Sequence, residues 1–154
     1  MKKAFEKLVD PETVESLLRD GAQSQQLKQG RIEFVIAFVR GECPAQVSER
    51  IARVADLAVT HGATVHDLVG ALVIVAFGTH PASLPESGSR SSLVQALSEQ
   101  LAGDVKIVHG AADGHYGLFG SETRMSYSFL VPQFDQILGA LSRLEFGQTE
   151  EFRQ

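Results

Sequence analysis

The sequence predicts an α+β fold, one mixed sheet with amphipathic helices packed on it. Three observations predict it. Ile32–Val39 and Leu72–Phe77 are apolar at nearly every position, with only Glu33 polar, and are rich in β-branched and aromatic residues. Such unbroken runs mark strands covered on both faces rather than half-solvated ones. The turn Gly70-Ala71 joins the second run to a preceding strand as a tight hairpin. Segments of helical periodicity separate these strands.

Residues 8–20 open with Asp10-Pro11-Glu12, an N-cap followed by a proline and an acid in the first turn. Val14, Leu17 and Leu18 form one apolar face, Gly21 stops the helix, and the polar, Gln-rich residues 22–30 read as a connector. The Ile32–Val39 strand ends at Arg40-Gly41. Glu42-Cys43-Pro44 begins a helix with Val47, Ile51, Val54 and Ala58 on one stripe, closed by His61-Gly62. The hairpin follows. Residues 79–92 read as the longest loop, and Ser91 or Ser92 caps a helix with Leu93, Leu97 and Leu101 inward. Val105–Val108 reads as a short strand, and Gly110–Gly120, with four glycines, as turn-like. Met125–Val131 is another strand. Pro132 starts a last helix with Phe134, Ile137, Leu138, Leu141 and Leu144 apolar, and a polar tail follows Gly147.

This order gives a ferredoxin-like sheet with helices on one face. The boundaries are an N-terminal helix and connector over 1–30, a main domain over 31–145 and a polar tail over 146–154. Because the two central strands are apolar on both faces, the face without helices needs a cover. A second copy of the chain is the economical one, and the N-terminal helix with the tail is the alternative.

Composition excludes several function classes. At 154 residues, 44% hydrophobic and 21% charged, the chain makes one globular domain. The formal net charge of −5, without a Lys/Arg run beyond the first three residues, disfavours nucleic acid and an anionic membrane surface. Cys43 is the only cysteine, so no intrachain disulfide forms. There is no signal-peptide core and no run near the roughly 20 residues of a membrane span, which points to the cytoplasm.

Several motifs together resemble the class III nucleotidyl cyclases, the adenylyl and guanylyl cyclase family. The entry segment Phe5 to Leu18 is similar to the helix preceding bacterial cyclase domains. Ile32–Gly41 is similar to the first strand with its Arg-Gly end, and His61-Gly62 through Phe77-Gly78 to the central hairpin. Gly117-Leu118-Phe119-Gly120-Ser121-Glu122 with Arg124-Met125 and Tyr127 resembles the family's Gly-Ser…Arg-Met…Tyr signature. The resemblance implies a ferredoxin-like α/β sandwich, C-terminally shortened because the family continues into further strands with a phosphate-binding Lys.

It also implies where chemistry would sit. The family's two metal-binding carboxylates correspond to Phe38 and Ala71, its base-reading Lys to Asp67 and that residue's partner to Ser128. Its transition-state Asn and Arg correspond to Asp135 and Gly139. Neither Phe nor Ala ligates a cation, and loss of one transition-state donor alone typically costs about 10²–10³ in rate. The expectation is therefore a catalytically inactive cyclase-homology domain, with no cofactor and no metal, acting as a homodimerising or regulatory interaction module with a protein partner. Two alternatives are a nucleotide or small-ligand sensor that keeps the pocket, and a divergent cyclase of weak activity. The latter needs a replacement carboxylate pair, for which Glu33 and Asp67 are the strand candidates. The turn Arg40-Gly41 is a weak anion site, opposed by the charge of Glu42.

Other signals carry bland readings. His61 and His66 stand five apart with no cysteine or carboxylate pair, and His109, His115 and Asp113 flank the glycine-rich stretch; capping or solvated histidines are the usual case. His66 and Asp67, adjacent on a strand, are expected on opposite faces. Cys43 reads as a small buried residue.

Overall fold

The computed structural model describes residues 27–79, 88–121 and 123–153. The helix expected over 8–20, the connector up to residue 26 and residues 80–87 of the long loop lie outside them. The elements are β1 (Lys28–Val39), α1 (Pro44–Thr60), β2 (Thr64–Val69), β3 (Leu72–Phe77), α2 (Ser89–Leu101), β4 (Val105–Ser121), β5 (Arg124–Leu130), α3 (Phe134–Arg143) and β6 (Thr149–Phe152). The strands form one sheet in the order β2-β3-β1-β4-β5, with antiparallel neighbours, and β6 adds in parallel to β4. The first four strands, with α1 and α2 as crossovers, have the ferredoxin-like order.

The hairpin forms where expected. Gly70 takes φ +59°, the positive value that a two-residue turn between twisted strands demands, and Val69 faces Leu72 across it. Helix α1 runs from Pro44 in its first turn to a C-cap at His61, whose N–H and ring Nδ1 reach Leu57 O, the N–H at 3.0 Å and the ring at 2.8 Å. His61 is thus a capping histidine. Helix α2 starts at Ser89 with Gly88 as N-cap, so neither Ser91 nor Ser92 caps it. The last helix starts at Phe134, two residues after Pro132.

One expectation is overturned. The core has two parts, one on each side of the sheet. Val35, Ala37, Val39, Val73 and Val75 meet Val54, Ala58, Leu93 and Leu97 of α1 and α2. Ile32, Phe34, Ile36, Ile74 and Ala76 meet Ile137, Ala140 and Leu141 of α3. Helices therefore cover both faces, and the doubly apolar strands are satisfied within one chain. Pattern alone shows that a helix has an apolar face; which side of the sheet it crosses to depends on the path after β5.

The glycine-rich residues 110–120 are not a turn. They continue Val105–Val108 into the 17-residue strand β4. Its two ends serve different neighbours: β1 pairs with Val105–Tyr116, β6 with Ile107–Gly110 and β5 with His115–Ser121. Gly110 and Gly114 are there because backbones approach closely. A Cβ on Gly110 would stand 2.5 Å from Phe152 O, and one on Gly114 would strike Leu130 O and come within 2.9 Å of Val131 Cγ1. Residues 146–154, expected as a polar tail, carry β6 and Phe146, which packs inward against Phe38. Residues 28–30, expected in the connector, already belong to β1.

Candidate functional site

At the end of β1 the chain places Phe38 opposite Leu72 of β3 and Lys106 of β4. Ala71 lies beside it: Val39 N–H donates to Ala71 O at 3.0 Å. The two positions matched to metal ligands are thus adjacent, one on β1 and the other in the β2–β3 turn beside it. Their side chains differ in direction. Phe38 packs on the α3 face, whereas Ala71 touches the cluster under α1 and α2. Neither carries an oxygen, so the residues present do not fit a divalent cation.

The ring of Phe38 lies 6.0 Å from that of Phe146, tilted by 46°. Two cations cover this pair. Lys106 Nζ is 5.5 Å from the Phe38 centroid and 5.3 Å from that of Phe146, and it donates to Leu144 O at 3.3 Å. The guanidinium carbon of Arg40 sits 4.6 Å over Phe146. Arg40 is further engaged by Asp104 Oδ1 at 3.3 Å and Gly103 O at 2.9 Å. The anion turn is occupied by its own chain in the same way. Arg40 N–H donates to Asp104 O at 3.0 Å and Glu42 N–H to Gln46 Oε1 at 2.7 Å. Gly41 is pressed against α1, where a Cβ would meet Val47 N at 3.0 Å.

A second polar site, missed in the sequence, closes the two sheet edges on each other. A β-bulge between Val65 and Asp67 leaves His66 unpaired in β2 and re-aims it. Its ring stacks on Tyr127 at 5.4 Å and meets Phe129 edge-on at 5.0 Å, both on β5. Nδ1 lies 3.2 Å from Tyr127 O and Nε2 2.9 Å from Thr79 Oγ1. A carbonyl only accepts, so Nδ1 carries the proton and Nε2 accepts from the Thr79 hydroxyl. Tyr127 OH donates to Thr79 O. Burial, partly offset by the bond to Tyr127, lowers the His66 pKa to about 4. The ring is therefore neutral at pH 7. Burial, with a smaller contribution from Tyr116, pushes the Tyr127 phenol up. The bulge overturns the expectation that His66 and Asp67 point to opposite faces. Asp67 pairs with Ile74, whose side chain is on the α3 face, and His66 meets Phe129 of that same cluster.

The remaining site positions are dispersed. Asp67 is exposed and accepts from its neighbour's N–H, Leu68, at 2.9 Å. Ser128 is half-buried on β5, opposite Gly117. Asp135 and Gly139 lie one turn apart on α3, with Asp135 exposed. Glu33 and Asp67 do not form a pair. Strand β3 separates β1 from β2, and Glu33 is held by Arg90 of α2 at 3.4 Å, on the sheet face opposite to α3. Arg90 also reaches Glu151 of β6 at 3.3 Å, which ties the last strand to α2. Nearby, His109 is half-buried; desolvation first, then the charge of Arg90, lowers its pKa. His115 is exposed farther along β4. Cys43 is exposed rather than buried. Among the described residues no three metal-ligating side chains cluster, and no helix is long and apolar enough to cross a membrane.

No protein-family model and no curated protein matches the chain by sequence. Solved structures do match by shape. The adenylyl cyclase CyaB from P. aeruginosa superposes with a TM-score of 0.66 at 18% identity, over 80% of this chain and 77% of that one. The guanylyl cyclase Cya2 gives 0.59 at 19% identity, over 80% and 75%. A bacterial light-regulated adenylyl cyclase gives 0.67 at 12% identity, over 93% of this chain and 48% of that larger one. The fold is that of adenylyl and guanylyl cyclase catalytic domains.

Proposed function

We propose that this chain is a catalytically silent cyclase-homology domain that works by association, with a second copy of itself and with a regulatory protein. The observation that carries the reading is the chemistry at the end of β1: Phe38 and Ala71 stand side by side where the resemblance calls for two carboxylates. Gly139, without a side chain, stands where it calls for an arginine. The side chains that the resemblance assigns to metal ligation and to transition-state stabilisation are replaced together, which supports a domain that does not cyclise.

Association rests on the surface beside that site. Val69, 58% exposed, continues the apolar row of Leu72 and Phe38 across three strands. One solved domain of this fold, a guanylyl cyclase domain from the fungus Blastocladiella emersonii, is a non-canonical dimer. The ligand-sensor alternative is disfavoured because the N–H groups of Arg40 and Glu42 are already bonded.

Incubation of the purified protein with ATP or GTP and Mg²⁺ or Mn²⁺ is expected to yield no cyclic nucleotide; its formation would refute the proposal. Light scattering is expected to give about twice the 16.7 kDa chain mass. Val69→Asp is expected to return it to one chain mass. A wild-type monomer at high concentration removes the self-association part.

A further inference from the structure

We propose that Lys106 places its ammonium in the strand-end site and thereby keeps divalent metals out of it. This rests on the reading of Phe38 as the position of a lost metal ligand. Lys106 is the direct cross-strand partner of Phe38, so its stem leaves β4 on the same face and its ammonium arrives above the ring. At 5.5 and 5.3 Å from two ring centroids, the ammonium lies within the roughly 6 Å at which an aromatic face attracts a cation. Leu144 O, just beyond the last turn of α3, accepts one of its protons.

The charges around it are accounted for. Arg40, the other cation on Phe146, shares the single carboxylate of Asp104 with Arg50, each at 3.3 Å. Among the described residues no carboxylate pairs with Lys106. Its charge is held by ring faces and a carbonyl, which attract cations but do not cancel them. A divalent ion brought near β1 at this point would meet an uncompensated positive charge a few ångströms away. The loss of metal on this face is therefore written in two residues: the missing carboxylate at 38 and the ammonium at 106. Restoring the carboxylate at 38 alone gives Lys106 an acidic partner rather than creating a metal site.

The test compares Mn²⁺ binding, by electron paramagnetic resonance, in Phe38→Asp and in Phe38→Asp with Lys106→Met added. At least tenfold tighter binding is expected without the lysine. Equal affinity in the two variants, whether undetectable or tight, overturns the proposal. Should the carboxylate variants not fold, the wild-type chain decides by nuclear magnetic resonance. The Lys106 ε-methylene protons are expected upfield of ordinary lysines through ring currents, and Phe38→Leu is expected to reduce that shift. Ordinary ε-methylene positions in the wild type refute the ammonium's placement. Neither readout depends on turnover, so failure here leaves the catalytically silent reading standing, and cyclic-nucleotide formation by the wild type leaves the Lys106 measurement standing.

Discussion

His66 should make the stability of this domain fall in mild acid. Its pKa lies near 6.5 in the unfolded chain and is lowered to about 4 when the ring is buried between Tyr127 and Phe129. Below pH 6.5 the unfolded chain takes up a proton that the folded chain refuses, so the unfolded state gains. The stabilisation is complete above pH 6.5, is lost progressively down to pH 4, and changes no further below that. At 1.36 kcal/mol for each pH unit, the loss amounts to about 3 kcal/mol. That is a large share of the 5–15 kcal/mol typical of a domain. Carboxylates also titrate in this window, so the test is a difference. Urea denaturation would be followed by far-UV circular dichroism, since the chain has no tryptophan, at pH 7, 6, 5 and 4 for the wild type and His66→Gln. The wild type is expected to lose about 3 kcal/mol more than the variant over this range. Parallel pH profiles would show that the ring is protonated in the folded state without penalty, and would refute the burial argument.

Three further outcomes follow from the packing. Gly114→Ala is expected to cost about 2–3 kcal/mol in chemical denaturation, because its Cβ has no room beside Leu130 O and Val131. Gly103→Ala, with nothing within 4 Å, is the matched control and is expected to be close to neutral. Tyr127→Phe removes the hydroxyl bonded to Thr79 O and is expected to lower the unfolding free energy by about 1 kcal/mol. Arg90→Met is expected to cost about 1 kcal/mol and to weaken the hold on β6, read as faster amide exchange at Ile107–Gly110; its carboxylate partners are partly exposed, which caps the electrostatic share.

How much was legible in the sequence depended on whether a residue's role was local. The β2–β3 hairpin, the two doubly apolar strands and the α1 stripe follow from periodicity and turn chemistry within a few residues, and all are present. The neighbourhood of Phe38 and Ala71 followed from strand pairing. What failed was set by distant segments. Gly110 and Gly114 read as turn residues, yet they are strand residues spared a side chain because β6 and β5 run past them. Phe146 stood in a segment otherwise mostly polar, but it completes the pair with Phe38. His66 had no sequence neighbour to explain it; its partners, Thr79 and Tyr127, come from β3's exit and from β5. A β-branched run interrupted by a single histidine just before an acid, opposite an uninterrupted partner strand, is the only local hint of the bulge. The second helical layer was misplaced because nothing in the residues of α3 records which side of the sheet they cross to.

The length of β4 gives the molecule a spine. Over Ile107–Gly110 it is zipped on both sides, to β1 and to β6, and farther on it passes its free edge to β5. A protein held this way cannot shed one half while keeping the other, because either half would take the shared strand with it. Its central amides should be the last to trade hydrogen for deuterium, and should do so only when the entire domain opens at once.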